Sequence, residues 1–121
     1  MSRVLNIGGE GEVPGAINLN SLIAPLRGID EIVARGPLVK GDFLQLPFKS
    51  GAFSEVVGTR LPFMHGQFAE QTAAEAFRVL APGGRVSLSA SQGGSAVWTD
   101  YLKQAGFEVQ VVGRQVTGVR P

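Results

Sequence analysis

The chain has 121 residues, 44% of them hydrophobic and 17% charged, with a formal net charge of +1. That is the balance of one globular domain around a single core rather than a disordered chain, and it gives no electrostatic support for binding nucleic acid. Cysteine is absent, which excludes disulfides and thiolate metal sites; one histidine argues against a protein-only zinc site, so no metal is expected.

Short β-branched runs bounded by glycine or proline predict strands at residues 3–7 and 16–19, joined by the glycine-dense bend Gly8-Gly9-Glu10-Gly11-Glu12. Pro25 interrupts a helical pattern over 21–26, and a second weak pattern covers 29–34. Further strands are predicted at 37–40 and 55–58. A helix over 66–80 gathers Ala69, Ala73, Ala76, Phe77 and Leu80 on one face until Ala81-Pro82-Gly83-Gly84 stops it. A strand at 85–89 leads to a helix over 95–105, where Trp98, Tyr101, Leu102 and Ala105 recur at helical spacing as core residues and Gly106 ends the run. Strands at 107–112 and 115–119 are separated only by Gly113-Arg114, too little for a helical crossover, so they are expected to pair as an antiparallel hairpin.

Strands alternating with helices predict an α/β fold: a doubly wound, mostly parallel Rossmann-like sheet, covered on both faces, with an antiparallel C-terminal hairpin, in one domain over 1–121. No apolar run approaches the roughly 20 residues that span a bilayer. The start, MSRVLNIGG, turns polar too soon for a signal peptide, so the expected location is cytoplasmic, or else the chain is a piece of a longer one.

Two segments have the composition of a ligand site. A buried strand running into the bend at Gly8, Gly9 and Gly11 lets backbone approach a ligand closely; the same segment also reads as a tight turn without one. Val13-Pro14-Gly15 blocks the helix that would hold a pyrophosphate, and Glu10 and Glu12 would repel phosphate, so a cationic sulfonium ligand suits the bend better. Asp42, just past a predicted strand end and followed by Phe43 and Leu44, suits a purine: the carboxylate accepts from the exocyclic amine and the apolar side chain packs on the ring. The plain alternative is a solvated aspartate in a turn. The stretch Glu75–Val86 reads as structural punctuation rather than chemistry.

In this order the pieces resemble the class I S-adenosylmethionine-dependent methyltransferases, and among them a small bacterial group whose first motif reads approximately LNxGCG…PGWxNxD. The matching residues are Leu5-Asn6-Ile7-Gly8-Gly9-Glu10 and Pro14-Gly15-Ala16-Ile17-Asn18-Leu19-Asn20. The element LPFxDxxFDxV is met by Leu46-Pro47-Phe48-Lys49-Ser50-Gly51-Ala52-Phe53-Ser54-Glu55-Val56, and RVLxPGG by Arg78-Val79-Leu80-Ala81-Pro82-Gly83-Gly84. The resemblance implies methyl transfer from S-adenosylmethionine to an unidentified small-molecule or macromolecular acceptor. It assigns Asn6, Gly8, Gly9, Glu10 and Gly11 to the methionine end, Asn20 to the ribose, and Asp42 with Phe43 to adenine. Several departures matter: Glu10 stands in place of a motif glycine, Asn20 in place of the ribose acid, and Ser54 in place of an aspartate on the fourth strand. Each departure is expected to weaken the cofactor's hold or to mark a different ligand.

In-line displacement asks an enzyme to align the reactants and exclude water, so no catalytic constellation is required. His65, after the fourth strand, is the candidate base, with a helix cap as its plain reading. Thr59 is a candidate hydroxyl contact to ligand, and Arg60 a candidate for an anionic substrate group or an ordinary ion pair. Residues 8–18 are also similar to C-terminal toxin domains of large bacterial secreted proteins, which would imply delivery to a target cytoplasm and an immunity protein as partner. An inactive binding module on the same scaffold is the third reading.

Overall fold

The structure, a computed structural model, describes residues 3–7, 15–20, 38–40, 45–58, 67–89 and 94–121. In chain order the elements are β1 (Val4–Ile7), β2 (Ile17–Asn20), β3 (Leu38–Lys40), β4 (Phe53–Gly58), α1 (Gln67–Val79), β5 (Leu80–Ser89), α2 (Gly94–Ala105), β6 (Glu108–Val112) and β7 (Gln115–Val119). They form one seven-stranded sheet in the order β3-β2-β1-β4-β5-β7-β6. All pairs from β3 to β5 are parallel, and β7 is antiparallel to both β5 and β6.

Residues in register share a face of the sheet. Leu5, Ile7, Leu19, Val56, Val86, Leu88 and Val116 are buried together with Ala69, Ala73 and Ala76 of α1 and Trp98 and Leu102 of α2. The three alanines recur at helical spacing, and their small side chains let α1 lie close against its neighbours. Burying each large aliphatic side chain contributes roughly 1.5–3 kcal/mol, which makes this one face the main source of stability. The opposite face is buried at Asn6 and Asn18 but polar farther out. There Arg85, Glu108, Gln110 and Gln115 are exposed, so the expected cover over both faces does not extend to them.

The C-terminal hairpin is present as predicted, with the predicted bounds for β7. The sequence places the start of β5 at 85, whereas the strand begins at Leu80 and takes in Pro82 and Gly83. Three contacts draw that punctuation into the sheet. Leu80 pairs with Phe53 across an irregular register, the Gly83 amide donates to Arg120 O at 2.8 Å, and the Arg120 amide donates to Gly84 O at 2.9 Å. Gly83 adopts φ +82, a left-handed conformation open to glycine, so the chain leaves the helix and enters the strand without an intervening loop. The helical patterns at 21–26 and 29–34 lie outside the described residues.

Candidate active site

The parallel register puts the ends of four strands on one edge of the sheet. Ile7 aligns with Leu19, Asn20 with Lys40, and Asn6 with Val57, so β1, β2, β3 and β4 all release their chains at this carboxyl edge. The strand order runs β1, β2, β3 outward in one direction and resumes with β4 on the other side of β1. The reversal point between β1 and β4 is where an open α/β sheet leaves a crevice outside its carboxyl ends. Neighbouring strands lie about 4.8 Å apart, so the ends of β1, β2 and β3 span about 10 Å, a row that an extended nucleoside can follow.

Of the predicted site residues, the structure describes Asn6 fully and the backbone of Asn20. Asn6 is buried one residue from the end of β1, and its Nδ2 donates to Oδ1 of its register partner Asn18 at 3.3 Å. This polar pair ties β1 to β2 directly beneath the edge. Asn20 closes β2 in register with Lys40. Gly8, Gly9, Glu10, Gly11, Asp42, Phe43, Thr59 and His65 lie outside the described residues. In the chain, Gly8 follows the last residue of β1, Asp42 comes two residues after β3, and Thr59 follows β4. The edge also carries the β6–β7 turn, where Ser89 Oγ at the end of β5 donates to Gln115 Oε1 at 3.1 Å.

The amino edge is held differently. Arg78, near the end of α1, donates from Nε to Glu75 Oε2 at 2.6 Å and from Nη2 to Glu75 Oε1 at 3.1 Å. It also donates to Phe48 O at 2.9 Å, Leu46 O at 3.0 Å and Ser50 Oγ at 3.4 Å. Glu75 Oε1 in turn accepts from the Leu46 amide at 2.7 Å. The Arg78 hydrogen bond holds the Glu75 carboxyl below its ordinary value, with the Leu46 amide adding to the effect against the opposing cost of burial. The same bond raises Arg78 further. The two best-preserved motifs, LPF and RVLxPGG, are therefore two halves of one lock. The i,i+3 spacing of Glu75 and Arg78 announces their ion pair in the sequence, but nothing local announces the carbonyls of Leu46 and Phe48. A groove of about 710 Å³ beside the lock, walled partly by Gln45, Lys49 and Gln71, lies at this edge and not at the switch point. Glu75 and Arg78, which also line it, are committed to the lock.

Ser54 corrects one expectation. Its hydroxyl accepts from the Arg3 amide at 3.1 Å and donates to Arg3 O at 3.0 Å, at the amino end of β4. Gly58, where β4 meets the carboxyl edge, is four residues away, or about 13 Å. The serine at this position fastens β4 to the residue before β1, at the end of the strand away from the switch point.

A family profile described as a methyltransferase domain matches residues 24–88, more than half of the chain. The chain belongs to that methyltransferase family. No curated protein sequence matches it. Among solved structures, a Haloferax volcanii chain in complex with the Trm112 methyltransferase activator superposes with a TM-score of 0.76 at 14% identity, over 99% of this chain and 83% of that one. An S-adenosylmethionine-dependent methyltransferase from Thermotoga maritima gives 0.76 at 17% identity, over 100% and 83%. The [4+2]-cyclase SpnF gives 0.69 at 17%, over 91% of this chain and 53% of its own. At these identities the likeness is one of fold, and the cyclase illustrates that the fold hosts more than one chemistry. The comparisons lend the secreted-toxin reading no support. Among the described residues no helix is long and apolar enough to cross a membrane, and no three His, Cys, Asp or Glu side chains cluster to hold a metal.

Proposed function

We propose that this methyltransferase binds S-adenosylmethionine across the carboxyl ends of β1, β2 and β3. The methionine end lies along Gly8, Gly9, Glu10 and Gly11 above Asn6, the ribose by Asn20, and adenine between Asp42 and Phe43. The observation that carries this reading is the strand order, which reverses between β1 and β4 and brings those three chain ends to one edge in sequence. The donor set fits the group. Glu10 and Glu12 complement a cationic sulfur, and the β1–β2 connection, residues 8–16, is shorter than the dozen or so residues a helical crossover takes, which disfavours the pyrophosphate mode.

The cofactor supplies an electrophilic methyl group on a positively charged sulfur. The chain's own contribution is alignment and exclusion of water. Asp42 would accept from the adenine amine and Phe43 would cover the ring, which would hold the nucleoside for transfer. Thr59 and Arg60 follow β4, and His65 has the chemistry to accept a proton where the acceptor must lose one. A partner protein that completes acceptor recognition is in keeping with the activator complex of the Haloferax relative. We read residues 1–121 as one domain that acts in the cytoplasm; the core cluster shared by the described helices and the sheet supports the single domain.

Isothermal titration with S-adenosylmethionine, S-adenosylhomocysteine and nicotinamide dinucleotide tests the reading. The first two are expected to bind and the third not to. Binding of none of them would make the chain an inactive module, and binding of the dinucleotide alone would assign the edge to another cofactor.

A further inference from the structure

We infer that β6 is a self-association edge, pairing antiparallel with β6 of a second copy to continue the sheet across a twofold axis. β6 is the terminal strand, five residues long, with the sequence EVQVV. It carries little of the usual protection of an open edge: there is no proline or lysine in it, its one charge is Glu108 at its start, and its register with β7 is unbroken. The exposed large hydrophobic residues among the described ones are Val111 at 46%, Val112 at 78% and Val119 at 38%, all in this hairpin.

The hairpin geometry selects the register. Val112 and Gln115 close the two-residue turn Gly113-Arg114 and form the hydrogen-bonded closing pair. Antiparallel pairing alternates, so Glu108, Gln110 and Val112 turn their backbone groups toward β7, while Val109 and Val111 turn theirs outward. A twofold axis at Gln110 sets Val109 of one copy opposite Val111 of the other, twice, and satisfies all the outward backbone groups of these residues. On one face this pairs valine with valine, continuing the apolar face that α2 covers next to β6. On the other face Gln110 meets Gln110, whose amides are self-complementary, and Glu108 meets Val112. Glu108 is then diagonal to the other copy's Arg114, within reach of its long side chain. No like charges are opposed, and the charge pair occurs twice by symmetry.

Sedimentation equilibrium of the full chain tests this, together with amide exchange at several concentrations. A concentration-dependent dimer is expected, with protection of the Val109 and Val111 amides that grows with concentration while that of Gln110 does not. Val111→Lys is expected to weaken dimerisation by tenfold or more without changing the circular dichroism spectrum, since it places two like charges at the joint. Glu108→Arg and Arg114→Glu are each expected to weaken it roughly three- to tenfold and to restore it when combined. A monomer at every concentration, a dimer indifferent to Val111→Lys, or a hairpin that binds only a different protein would overturn the inference.

Discussion

At the amino edge of the sheet, Arg78, Glu75 and Ser54 spend their hydrogen bonds on backbone groups of Leu46, Phe48 and Arg3. At the carboxyl edge, strands end side by side and hand over to segments rich in glycine and in groups suited to a ligand. The first edge keeps the LPF and RVLxPGG residues and departs at Ser54, whose hydroxyl still binds main chain; the second departs at Glu10 and Asn20. A lock whose partners are main-chain atoms tolerates little change in the side chains that close it, because a lost donor leaves part-buried carbonyls unpaired. A ligand edge can exchange one acceptor for another and alter affinity without unfolding the chain. In this protein a motif residue or a departure at the amino edge therefore reports on the fold, and one at the carboxyl edge on the ligand.

Substitutions can break this comparison. The largest effect is expected from Arg78→Ala, which strips the lock of its charged donor. Chemical denaturation should show a loss of about 2–3 kcal/mol, with the affinity of the folded protein for S-adenosylmethionine unchanged. Asp42→Ala should do the reverse, weakening cofactor binding by roughly 1–3 kcal/mol in titration calorimetry while stability holds. If stability fell as well, Asp42 would belong to the framework. Ser54→Ala should cost about 1 kcal/mol of stability and leave affinity untouched; an affinity change would undo the placement of this residue away from the ligand. Asn20→Asp should tighten binding by about 1 kcal/mol, the gain of a charged over a neutral acceptor for the ribose hydroxyls. The smallest effect concerns pH. Because the folded protein holds Glu75 below its ordinary value, its contribution is fully present above that ordinary value and is lost as pH falls toward the folded one. Unfolding measured across this acid window should show a steeper loss in the parent protein than in Glu75→Gln.

The existence of β1 through β5 and of the C-terminal hairpin was legible because each strand is a short apolar run between glycine or proline signals. Leu5, Ile7, Val56, Val86 and Val116 behave as their pattern predicts. The extension of β5 back to Leu80 was not legible. It depends on Arg120, which lies 40 residues away in sequence, stacks over the Phe77 ring at 4.4 Å and donates to the carbonyls of Phe77 and Leu80. In the same way the change at Ser54 read as a cofactor-site departure until the sheet put it at the other end of its strand. Motif membership carries no information about which end of a strand faces the ligand.

The sequence by itself determined the class of fold, the hairpin and the set of residue types fitted to a sulfonium-bearing nucleoside, because periodicity, turn chemistry and composition are local properties. Only the tertiary structure decided which strand ends stand together, which motif is a lock rather than a site, and that β6 is left as an open edge. Those facts depend on strand order and register, which arise when residues far apart in the chain bury a shared apolar face.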